Sequence, residues 1–181
     1  MKSLAFAALL LTAPSALAAA CPAAPDHSKA IADTLAAIQS AEREMDARPL
    51  SNRLWEYWTD APDEAAQELL DAAMRARESY DYLRARDTLD RLIAYCPDYA
   101  EGYNQRAFVA FLTGDFTAAL PDLDRAIALN PTHVGALSGK ALTLMGLGRD
   151  AEAQEALRAA VTLNPWLSER HLLKEPAGED I

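Results

Sequence analysis

The chain has 181 residues, room for one domain of ordinary size, and its 27 acidic against 17 basic residues leave a net charge of −10. That balance opposes binding to phosphate backbones and to anionic lipid surfaces, and no basic run offsets it locally. No stretch approaches the roughly 18 consecutive apolar residues that a membrane-spanning helix needs.

Residues 1–20 have the three-part layout of a secretory signal. Lys2 supplies the positive start, residues 4–11 are apolar, and a run of small residues, 16–20, follows Pro14. The expectation is an exported protein, periplasmic or secreted, with a Gram-negative envelope as the natural setting. The chain has two cysteines, Cys21 and Cys96. In an oxidising compartment they can form a disulfide, provided their Cα atoms come within about 7 Å. Cys21 also stands where a bacterial lipoprotein signal places its acylated cysteine, although Ala18 occupies a position where such signals favour Leu. Disulfide, lipid anchor and free thiols are the three fates open at this point.

Residues 28–48 read as one amphipathic helix, with Ile31, Leu35, Ile38 and Met45 on its apolar face. The segment SNRLWEYWTDAPDE follows, with Trp55 and Trp58 three residues apart. Two tryptophans so close could form a ligand box. The stronger expectation is that they pack under the first of the helical repeats that follow, because stacked helical hairpins expose an apolar face at each end. Residues 21–61 are therefore read as an N-terminal helical cap.

From residue 66 onward the chain repeats. Pro97, Pro131 and Pro165 are spaced by 34, and Tyr103, Ala107, Gly114, Ala119, Leu123 and Ala126 recur 34 residues later as Leu137, Ala141, Gly148, Ala153, Leu157 and Ala160. Each unit holds two runs of helical apolar spacing, separated by a turn and ended by the proline, which cannot continue a helix. Helices are expected at 66–79 and 84–95, 100–112 and 117–129, and 134–146 and 151–163. The paired alanines, Ala107 with Ala119 and Ala141 with Ala153, mark close helix crossings. In the first unit Tyr80 stands where the others carry the turn glycine. In the second, Pro121 falls early in a helix, where a local distortion is expected.

This period and pattern resemble the tetratricopeptide repeat family. The resemblance implies an all-α, right-handed superhelix of three repeats, 66–99, 100–133 and 134–167, inside a domain spanning 62–175. Residues 176–181 are expected to be a disordered tail. A short helix capped by Ser168 would cover the last repeat only partly.

No catalytic constellation is legible. His27, His133 and His171 have no two-histidine metal spacing, and no calcium loop is present. Gly146-x-Gly148 is an inter-helix turn rather than a phosphate cradle. The chain is accordingly read as a non-enzyme without cofactor or metal. What the family resemblance implies instead is a concave groove for a partner protein. Its positions here are Met74, Arg77, Asn104, Phe108, Phe111, Leu142 and Met145, with Leu70, Glu101 and Ser138 beside them. One family variant grips a C-terminal carboxylate with lysine, asparagine and arginine. Those places hold Leu70, Met74, Gln105, Gly135 and Gly139, so that clamp is absent and the strip is apolar, suited to a helix or apolar peptide. The reading is an exported adaptor that binds protein. The competing reading is a self-associating envelope protein joined through its thinly capped last repeat.

Overall fold

The computed structural model describes residues 20–174. The expected signal peptide at 1–20 and tail at 176–181 lie, but for residue 20, outside the described residues. Eight α-helices and one 3-10 helix make up the regular structure, with no strand among the described residues. Three hairpins correspond to the three repeats. They are α3 (Glu64–Glu78) with α4 (Tyr82–Tyr95), α5 (Ala100–Leu112) with α6 (Phe116–Leu129), and α7 (Val134–Gly146) with α8 (Asp150–Leu163).

The second helix of each of the first two hairpins starts earlier than the apolar spacing alone suggests. Asp81 and Asp115 explain why: their side chains accept from the backbone N–H of Arg84 and Ala118, satisfying donors that a helix start leaves unpaired. The three turns share one hydrogen-bond pattern, in which Asp81 N, Asp115 N and Arg149 N each donate to a carbonyl five residues back, Ala76, Ala110 and Leu144. That pattern places one residue per turn at positive φ: Gly114 at 76°, Gly148 at 71° and Tyr80 at 62°. Glycine adopts this conformation freely, whereas a side chain strains it. Tyr80 is exposed and loses little by truncation. Tyr80→Gly should therefore raise stability by roughly 0.5–1 kcal/mol, read by urea denaturation. A destabilised variant would show that the Tyr80–Tyr82 ring contact outweighs the backbone strain.

Inside the hairpins small residues meet. Ala66, Leu70, Ala73 and Ala76 face Ala85, Leu89 and Leu92; Ala107 faces Ala119, Leu123 and Ala126; Ala141 and Leu144 face Ala153, Ala156 and Leu157. The expected distortion at Pro121 does not interrupt α6, which runs through it. The carbonyl deprived of its donor belongs to exposed Thr117, within reach of water.

The N-terminal region departs from expectation. It is two helices, α1 (Ser28–Gln39) and α2 (Glu44–Trp58), and the second absorbs the tryptophan segment. Ser40 Oγ bonds back to the Ala36 carbonyl at the end of α1, and Arg43 is extended, holding Asp46 with two hydrogen bonds at the start of α2. Met45 consequently points to solvent rather than into a core.

Nor does this hairpin sit under the first repeat. Ile31, Leu35, Ile38, Ala47, Leu54 and Trp58 form a core with Val134 of α7, and Leu163, Trp166 and Leu167 pack against it. Polar contacts agree: Gln39 Nε2 donates to the Thr162 carbonyl (2.9 Å), Asn164 Nδ2 to Ser51 Oγ (3.1 Å), and Arg170 pairs with Glu44 (2.9 Å). The last repeat, expected to be thinly covered, is thus covered by the first hairpin. Leu172, the last residue of the 3-10 helix Ser168–Leu172, and Leu173 just after it add to that cover. Ser168 does not cap this helix; its hydroxyl bonds to Glu169. At the other end Cys21 and Cys96 are joined, with Cα atoms 5.1 Å apart. That spacing is within the range a disulfide requires.

Candidate partner-binding groove

The first helices of the repeats, α3, α5 and α7, share one face, and α2 runs along its edge. Between them lies a cavity of about 500 Å³. Met74 and Arg77 come from α3, Asn104, Phe108 and Phe111 from α5, and Leu142 from α7, so six of the seven expected positions converge on it. Met145 does not. It packs against the third hairpin's core beside Ala141 and Leu144. The helical turn that carries Leu142 to the groove carries Met145 round toward the hairpin interior.

The fourth wall was missed at the sequence level. Trp55, Glu56 and Thr59 of α2 also line the cavity. Trp55 can approach because the first turn of α7 carries a glycine: a Cβ on Gly135 would stand 2.9 Å from the Trp55 ring. Gly135 is one of the places where the carboxylate clamp would carry a charged side chain. Here an indole occupies that space.

Beneath the groove a polar chain crosses all three repeats. Glu101 is 1% exposed, although it was placed among the groove positions. Its carboxylate accepts from His133 Nε2 (2.8 Å), Gln105 Nε2 (2.5 Å) and Asn104 Nδ2 (3.2 Å to each oxygen). His133 Nδ1 accepts from the Ala136 N–H, capping α7, which leaves Nε2 as the ring nitrogen that donates to Glu101. Gln105 Oε1 accepts from Arg77, whose guanidinium lies over the Phe108 ring at 5.1 Å. Trp58 stacks on His133 with ring centres 4.1 Å apart, and its carbonyl accepts from the Tyr99 hydroxyl. Burial first, and the nearby Glu101 carboxylate second, push the Tyr99 phenol well above its usual range, so it keeps the proton it donates. On the far side Arg106 pairs with both Asp122 and Asp90, joining the first two hairpins.

Glu101 and His133 are committed to structural hydrogen bonds, and the described residues contain no group of three or more His, Cys, Asp or Glu placed to hold a metal. No described helix is long and apolar enough to cross a membrane.

Repeated hairpins around a shared groove define a class of protein-interaction solenoid. Two tetratricopeptide repeat profiles match the chain, over residues 72–137 and 110–166, together more than half of it. The chain belongs to the tetratricopeptide repeat family. A TPR repeat-containing protein of Rhizobium etli is 33% identical over 89 residues, which is 49% of this chain and 44% of that protein. The chain thus matches under half of that relative's length. Among solved structures, the TPR2B domain of yeast Sti1 in complex with pHsp70 is 26% identical, with a TM-score of 0.57, covering 61% of this chain and 90% of that one. The first TPR of Spaghetti (RPAP3) bound to the HSP90 peptide SRMEEVD is 22% identical, with a TM-score of 0.58, covering 59% and 85%. The Arabidopsis OM64 TPR domain is 21% identical, with a TM-score of 0.59, covering 60% and 90%. At 21–22% identity the last two likenesses show the fold alone.

Proposed function

We propose that the protein is a non-enzymatic adaptor exported to a bacterial envelope, and that it binds a segment of a partner protein in the groove between α2 and the first helices of the repeats. One observation carries the reading. Met74, Phe108, Phe111, Leu142 and Trp55 wall an unfilled cavity of about 500 Å³, with Phe108 still 43% exposed. Concave apolar pockets of this size are ordinary ligand sites. The TPR2B domain of yeast Sti1, solved in complex with pHsp70, supports a protein-binding role. The Cys21–Cys96 bond supports an oxidising compartment, since such pairs persist outside the cytosol.

The test uses the disulfide-intact chain as bait on envelope extract, beside a Phe108→Ala/Leu142→Ala variant. Both substitutions fall on cavity walls, so the helical circular dichroism should survive and the captured partner should be lost. A variant that keeps its partner places the binding surface elsewhere. Material from the same envelope fraction should show a mass two daltons below the reduced chain. Recovery of the protein only from cytosol would defeat the export reading.

A further inference from the structure

The groove's size and charge say which peptides it takes; the inference rests on the adaptor reading above. One 5.4 Å turn of a helix 10–12 Å across fills about 420–610 Å³. The cavity, at about 500 Å³, is comparable with one such turn. Inserted side chains from an extended segment do fit.

The polar atoms narrow the choice further. Asn104 is nearly buried, and its amide nitrogen is committed to Glu101, while its Oδ1 has no donor among the described residues. A backbone N–H of an extended segment would supply that donor. Arg77 is the one basic residue in the cavity wall, and it is committed to Gln105 and to the Phe108 ring with its side chain 15% exposed. It is poorly placed to receive an incoming carboxylate. Glu56 and Glu169 also line the cavity, and neither has a cationic partner among the described residues; Glu169 meets only the Ser168 hydroxyl. The vacant electrostatic role is that of a cation.

We infer that the groove recognises an extended peptide that buries bulky apolar side chains between Trp55, Phe108 and Leu142 and carries an adjacent Lys or Arg toward Glu56 and Glu169. This preference is opposite in charge to an acid-terminated peptide such as SRMEEVD, the one bound by the RPAP3 domain.

Selection of a random decapeptide library on the disulfide-intact chain tests this. The enriched peptides should pair two bulky apolar residues with at least one Lys or Arg and none should depend on a free acidic terminus. Synthesised with Lys or Arg changed to Glu, the best of them should bind at least tenfold more weakly. A Glu56→Gln/Glu169→Gln variant should weaken the original peptide about three- to tenfold, as expected for two partly exposed ion pairs, and flatten its salt dependence. Enrichment of acidic or uncharged peptides that still require Phe108 and Leu142 would overturn the inference and leave the adaptor reading standing. Peptides indifferent to the Phe108→Ala/Leu142→Ala change, or no enrichment at all, would overturn both.

Discussion

Cys21→Ser in the full chain lowers the unfolding free energy by about 4 kcal/mol on the chain-entropy account, because the bond closes a loop with a sequence separation of 75. Cys21 is the better site for the change. It is only partly buried, whereas Cys96 lies at 1% exposure in the first repeat's core, where serine would add a desolvation cost of its own. The loss should appear in urea denaturation, and as a fall in Tm of about 10 °C for a domain of this size. Wild-type protein treated with reductant should reproduce it. Adding reductant to the variant should change nothing further. If reduced and oxidised wild type unfold together, the bond makes no contribution to the fold in solution.

Glu101→Ala is expected to cost about 3–5 kcal/mol, because it strands the donors of His133, Gln105 and Asn104 among buried side chains. His133→Ala should be similar in size for a different set of losses. It leaves the Glu101 carboxylate short of a donor, removes the α7 cap and unstacks Trp58. The double variant decides whether the two act as a unit. Its cost should fall well below the sum of the single costs, since each removes what the other leaves unpaired. Two single variants each within about 1 kcal/mol of wild type would mean that water enters and satisfies the stranded groups.

The repeat architecture was legible because it is written periodically. Three prolines spaced by 34, with alanines at the crossings, are enough to place six helices to within about two residues, and the aspartate caps account for most of the remainder. The groove follows the same period, and Met74, Arg77, Asn104, Phe108, Phe111 and Leu142 line one cavity. Met145 was misplaced because one face of a short helix serves both groove and core, and residues three apart divide between them. The N-terminal hairpin left no comparable trace. Its turn at 40–43 contains neither glycine nor proline, so the helical pattern reads through it. Its seat on the third repeat depends on contacts more than a hundred residues apart, Gln39 with Thr162 and Ser51 with Asn164. Nothing local encodes which end of a stack a tryptophan-rich helix will cover. Glu101 and His133 were unremarkable as single residues, and only their separation of 32, one repeat less two, puts them on facing helices.

A linear stack of hairpins behaves as a spring: each coil touches only its neighbours, and the last can peel away while the rest stay wound. The hairpin that lies across this stack changes its mechanics. By tying the beginning of the chain to its final coil it makes a hoop, which bends less and does not fray one coil at a time. The geometry between α3 and α7 is then held by tension around the whole circuit as well as by adjacent packing, and the pocket keeps its width when empty. Assembly carries the corresponding burden. The hoop shuts by closing a loop of over a hundred residues, at a larger chain-entropy cost than packing one coil on its neighbour.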